Sequence, residues 1–154
     1  MATLRISNKT YSYKDFLPFL DGSVKVTIDS NAKKDIKNSY SNLLENLSSG
    51  KTIYGVNTGF GRLSQIKIEK QDQSKLQLNL VRSHSAGVGK YLDAGIVRMI
   101  MALKVLNYSH GYSGVHPDTV DQLVKFINNE VLPAVPEKGS VGASGDLAQL
   151  AHIA

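Results

Sequence analysis

One segment constrains this chain more than any other: Gly139-Ser140-Val141-Gly142-Ala143-Ser144-Gly145-Asp146, which leads straight into the apolar run Leu147-Ala148-Gln149-Leu150-Ala151. Glycine at every third position denies the segment regular structure, lets the backbone turn sharply and lets other groups approach it closely. Its reactive part is Ala143-Ser144-Gly145. Held in a tight turn, the Gly145 amide nitrogen, unshielded by any side chain, can attack the Ala143 carbonyl carbon. Loss of water then leaves an imidazolone ring. Dehydration of Ser144 adds an exocyclic methylidene, a stronger electrophile than any of the ordinary side chains. The tripeptide alone is weak, because residues this common fall into this order by chance. A glycine-rich turn before a helix also serves as a phosphate cradle. No Gly-Lys-Ser/Thr follows here, however, and Asp146 would repel phosphate.

A second glycine-rich octet, Tyr54-Gly55-Val56-Asn57-Thr58-Gly59-Phe60-Gly61, forbids a stable helix in the same way. It reads either as a structural turn that needs positive φ angles or as a loop approached by a ligand. The second reading turns on Tyr54, because a phenol with its ordinary pKa of about 10 becomes a general base where positive charge or hydrogen bonds stabilise the phenolate. A third segment, Ser83-His84-Ser85-Ala86-Gly87-Val88-Gly89, begins where helical periodicity gives way to small residues. A histidine in that position reads as a surface or capping group, or as a ligand contact.

These three segments, in this order and at this approximate spacing, resemble the histidine and aromatic amino acid ammonia-lyases. The resemblance implies a methylidene-imidazolone prosthetic group formed from Ala143, Ser144 and Gly145, with no external cofactor. It implies that Tyr54 is the acid/base opposite that electrophile and that the Gly61 region helps bind the substrate carboxylate. It places His84 at the distal end of the substrate side chain, where its ring could hydrogen-bond an imidazole or a phenol. The reaction implied is elimination of ammonia from L-histidine to trans-urocanate, with tyrosine elimination or tyrosine aminomutation as alternatives. Lyases of this kind are much longer and assemble as homotetramers. Residues 1–154 therefore read as the N-terminal part of a single lyase domain whose helical remainder is absent from this chain, and which alone is inactive. A reading of another class is an inert helical fragment or an association module. Gln149 stands where many members carry proline, a change expected to matter little.

The rest of the sequence supplies the scaffold. The resemblance and the periodicities together give a mainly α fold, the N-terminal section of a helical ammonia-lyase, with one short strand or hairpin near the N-terminus. Val24-Lys25-Val26-Thr27-Ile28 alternates with period two and reads as that strand. Tyr13 to Leu20, around Pro18, reads as a short helix. Ile36, Tyr40, Leu43, Leu44 and Leu47 share one helix face, with Tyr40 expected in the core. Gln71 to Val81 reads as a further helix. Ile96, Val97, Ile100, Met101, Leu103 and Leu106 make a helix apolar nearly all round, hence buried. Pro117 starts the next helix, whose inner face is Val120, Leu123, Val124, Ile127 and Val131. Hydrophobic residues at 42% and charged ones at 20% suit a globular core.

Composition narrows the partners. Lys and Arg are scattered and the net charge is only +5, so no basic stripe addresses nucleic acid. With no cysteine, disulfides and thiolate chemistry are excluded. His110, His116 and His152 are too far apart to form a metal-ligand motif such as His-x-x-x-His, so no metal is expected. No signal peptide or membrane span is evident, which makes a cytoplasmic protein with a small amino acid substrate the expectation.

Overall fold

The computed structural model describes residues 2–143 and 145–154. They fall into two compact units, Met1–Leu43 with Leu92–Ala134, and Leu44–Tyr91 with Val135–Ala154. Both are built mainly from helices, as expected.

In the first unit, the strand expected at Val24–Ile28 (β2) is present, and its partner is Ala2–Ile6 (β1). The two run parallel, Ala2 beside Val24 and Ile6 beside Ile28. Parallel strands cannot be joined by a tight hairpin turn. The crossover contains two 3₁₀ turns, Tyr13–Asp15 and Leu17–Phe19, where a single short helix was expected. Pro18 lies inside the second turn, and Ser12 caps the first, its hydroxyl accepting from the Lys14 amide at 3.3 Å. On β2, the Asn128 side chain behaves as a strand would. Its Oδ1 accepts from the Val26 amide at 2.8 Å and its Nδ2 donates to the Val26 carbonyl at 2.9 Å.

The core of this unit lies between Ala94–Ser109 (α3) and Pro117–Asn128 (α4). Val97, Met101, Ala102 and Val105 of α3 are buried, as are Val120, Leu123 and Ile127 of α4. Each set recurs at helical spacing. Two expectations need correction. Burial of α3 is one-sided, with Ile96 at 40% and Leu103 at 43% exposure. In Ser30–Ser48 (α1) only Ala32 and Ile36 are buried; Tyr40 is half-buried, its ring edge-on to His116 at 4.7 Å. A tyrosine whose ring meets a polar partner at the rim of a core need not enter it.

Arg98 is the reverse case, a charged residue buried on the apolar helix α3. Its Nη1 donates to the Phe19 carbonyl at 2.7 Å, and its guanidinium forms a two-pronged ion pair with Glu130. A buried guanidinium is tolerable only when its donors are occupied in this way.

The second unit carries every segment singled out above. A 3₁₀ turn at Lys70–Asp72 leads into Gln73–His84 (α2). Val88–Tyr91 (β3) pairs antiparallel with Pro136–Lys138 (β4), a ribbon too short to be read from periodicity. Leu147–Ile153 (α5) follows the glycine-rich segment. Among the described residues no helix is long and apolar enough to cross a membrane.

Candidate active site

The Tyr54 loop is held by side chains from within. Buried Asn57 accepts from the Ile53 amide at 2.7 Å and donates to the Lys51 carbonyl at 2.8 Å. Buried Thr58 accepts from the Gly55 amide at 3.1 Å and donates to the Gly59 carbonyl at 2.9 Å. These bonds satisfy backbone groups that the glycines leave without regular partners. They leave Tyr54 free to project, with 63% of its surface exposed and its ring edge-on to Phe60 at 5.9 Å.

The phenol oxygen of Tyr54 accepts a hydrogen bond from the Gly61 amide at 3.2 Å. A backbone donor fixed on that oxygen needs no rearrangement if negative charge develops there. The two octet residues with expected roles are thus brought together. The Gly61 N–H is directed at Tyr54, while the space beside its Cα is open.

His84 is the last residue of α2 and half-buried, because the helix runs on past its expected end at Val81 to include it. Its Nδ1 lies 2.8 Å from the Leu80 carbonyl. A carbonyl only accepts, so this contact places the imidazole proton on Nδ1 and leaves Nε2 as the acceptor of a neutral ring. An acceptor suits the N–H of an imidazole or the O–H of a phenol and finds no partner on a phenyl ring.

Helix α2 joins the remaining parts. Near its middle, Gln77 donates to the Gly55 carbonyl at 2.9 Å and so holds the Tyr54 loop. Just past its end, Ser85 donates to the Ala151 carbonyl at 3.1 Å, and the Gly87 amide donates to His152 Nε2 at 3.1 Å. Both bonds fasten α5 to the His84 segment. Gly139 closes the arrangement, since a Cβ there would come within 2.9 Å of Ala148 Cβ and 3.0 Å of Gly87 Cα.

Ala143 and Gly145 are exposed, and Gly145 has φ +101 with nothing within 4 Å of where a Cβ would be. A residue with a Cβ rarely adopts that conformation. Glycine there leaves the amide nitrogen unscreened, which fits the residue expected to supply the attacking nitrogen. Ser144, the other expected member, lies outside the described residues. Val141 is 95% exposed, and the side-chain bonds given for the described residues of the loop lie at its base. There Ser140 Oγ accepts from the Ala148 amide at 3.1 Å and donates to Gln149 Oε1 at 2.7 Å. Gln149, expected to matter little, also donates from Nε2 to the Glu137 carbonyl at 3.3 Å.

The contacts made by Asn57, Gln77, Ser85, Ser140, Gln149 and His152 were not read from the sequence. Each residue acts on a partner whose identity leaves no periodic trace, although a polar residue inside a helical pattern marks several of them.

Comparison with known proteins extends the picture. The family model described as aromatic amino acid lyase matches residues 11–154. A probable histidine ammonia-lyase of Thermoplasma volcanium is 52% identical over 128 residues, 83% of this chain and 26% of that protein. The histidine ammonia-lyase of Aliivibrio fischeri is 42% identical over 153 residues, 99% of this chain and 30% of that protein. Among solved structures, the tyrosine aminomutase from Streptomyces globisporus superposes with a TM-score of 0.91 at 29% identity, over 99% of this chain and 28% of that one. The chain thus spans between a quarter and a third of the length of the curated relatives it matches.

Proposed function

The chain belongs to the aromatic amino acid lyase family, and on that premise we propose that the protein containing it eliminates ammonia from L-histidine to give trans-urocanate. Residues 1–154 are, on this reading, the N-terminal part of one lyase domain, and activity belongs to the whole. The observation that carries the proposal is the role of α2, which fastens the Tyr54 loop through Gln77 and the helix after Gly145 through Ser85.

The chemistry requires two things. A β-proton of an amino acid is barely acidic and an amine is a poor leaving group, so a base and an electron sink are both needed. Ala143, Ser144 and Gly145 are the source of the sink. The Gly145 nitrogen bonds to the Ala143 carbonyl carbon, whose oxygen leaves as water with the hydrogens of the Gly145 and Ser144 amides. Ser144 then loses its hydroxyl with its Cα hydrogen as a second water. The resulting methylidene-imidazolone supplies an electron-poor carbon that makes the substrate amine a better leaving group. Tyr54 moves the proton at its phenol oxygen, with the Gly61 amide donating to that oxygen throughout. His84 Nε2 accepts from the polar edge of the substrate ring.

Histidine is favoured over tyrosine because the relatives named histidine ammonia-lyase stand at 52% and 42% identity, against 29% for the tyrosine aminomutase. A soluble homotetramer in the cytoplasm completes the proposal. The test is the full-length protein with L-histidine. Urocanate should form, imidazolone absorbance should be present, and Ser144→Ala should abolish both. A wild-type protein that turns over histidine while its 139–149 peptide keeps the mass of the unmodified sequence would refute the prosthetic group.

A further inference from the structure

The glycine-rich loop leaves β4 and returns as α5, and one side chain fastens both of its ends. Gln149 Nε2 donates to the carbonyl of Glu137 on the outgoing side, and Gln149 Oε1 accepts the hydroxyl of Ser140. That hydroxyl in turn accepts the Ala148 amide on the returning side. The direction of this chain of bonds is fixed. With its amide reversed, Gln149 would set its oxygen against the Glu137 carbonyl, two acceptors face to face. Ser140 has one proton, and giving it to Gln149 leaves a lone pair for Ala148.

Nothing in the exposed part of the loop substitutes for this clamp among the described residues. Asp146, at the start of α5, makes no side-chain capping bond, and Ser140 serves the second residue of α5 in its place. Ring closure requires the Gly145 nitrogen to stay near the Ala143 carbonyl. Its rate therefore depends on how completely the loop's freedom has been removed beforehand.

We propose that Gln149, acting through Ser140 and the Glu137 carbonyl, is a positioning residue that sets the rate of ring closure between Ala143 and Gly145. The inference rests on the prosthetic-group reading given above and adds to it the device that compacts the loop. Gln149 is not a catalytic residue, because it touches neither the reacting atoms nor the substrate. Its influence ends once the ring has formed.

The experiment follows full-length protein made by cell-free synthesis, with mass spectrometry of the 139–149 peptide scoring the loss of two waters over time. Gln149→Leu removes both bonds of the side chain and should slow ring formation roughly tenfold. Ser140→Ala should slow it to a similar degree. The double variant should be no slower than the slower single one, since the bonds form one chain. Gln149→Glu retains an acceptor for Ser140 but sets a carboxylate oxygen against the Glu137 carbonyl, and should slow ring formation at least as much as Gln149→Leu. Once fully converted, each variant should turn over L-histidine at close to the wild-type rate, which a general loss of structure would not allow. If Gln149→Leu does not fold, Ser140→Ala and Gln149→Glu carry the test. Ring formation at the wild-type rate in the variants, or fully additive slowing in the double variant, overturns the inference and leaves the proposed function standing. A wild-type peptide that never loses water overturns both.

Discussion

Gly95, at the start of α3, lies directly against the backbone of Leu20, so that a Cβ added to Gly95 would overlap the Leu20 carbonyl oxygen, carbon and Cα. Its position in a helix makes the consequence unusual. Replacing glycine by alanine inside a helix ordinarily adds about 0.5–1 kcal/mol of stability. Here the obstacle is backbone, which cannot swing aside as a side chain would.

Gly95→Ala is therefore expected to destabilise the protein by about 1–3 kcal/mol, the usual range for forced overpacking. Chemical denaturation of the wild type and the variant measures it. A stabilised variant would mean that the approach of Leu20 to α3 is not as described.

Tyr108, half-buried on α3, gives an alkaline prediction. Burial pushes its phenol pKa above the ordinary 10. The folded state then holds the Tyr108 proton more tightly than the unfolded state does. Stability from this group is complete below the unfolded value of about 10 and falls as pH rises from there through the folded value. Tyr108→Phe should flatten that decline above about pH 10 and leave stability at neutral pH little changed. Melting temperatures from pH 7 upward would decide it, and equal alkaline slopes for the two proteins would count against burial as the cause.

Much of the scaffold could be read in advance because burial imposes a period. Val120, Leu123 and Ile127 recur at helical spacing, and Val24 and Val26 alternate, so α4 and β2 were legible. Arg98 was not, since its charge argues for the surface until Glu130 and the Phe19 carbonyl are known to meet it. Pro136-Glu137-Lys138 is too short to display a strand period, and proline argues against one. At the candidate site, glycine spacing marked both loops, with Tyr54 in one and Ala143 and Gly145 in the other, while His84 stood out only where helical periodicity gives way to small residues. The bonds from Gln77 to Gly55 and from Gln149 to Glu137 join positions 22 and 12 residues apart. Pairings of that kind arise only once the chain has folded.

His84 yields a prediction about substrate choice. With Nδ1 directed at the Leu80 carbonyl, only Nε2 remains to meet a ligand. His84→Phe in the full-length enzyme should lower kcat/KM for L-histidine about 10- to 100-fold, as expected for one lost hydrogen bond to a desolvated ring. It should raise the relative rate with L-phenylalanine, whose ring offers no donor. Steady-state kinetics with both amino acids tests this, and an unchanged ratio would remove His84 from the substrate site.

The central claim is that Tyr54 and the Ala143–Gly145 segment do separate work, one moving a proton and the other forming the electrophile. Tyr54→Phe in the full-length enzyme addresses it most directly. The substitution keeps the ring that packs edge-on to Phe60 and removes only the hydroxyl that the Gly61 amide meets. The account predicts undiminished imidazolone absorbance together with a kcat lowered about 10²- to 10⁴-fold, the range for a positioned acid/base group. An intact chromophore with kcat within about tenfold of wild type, well short of the loss of a general acid/base, would contradict it.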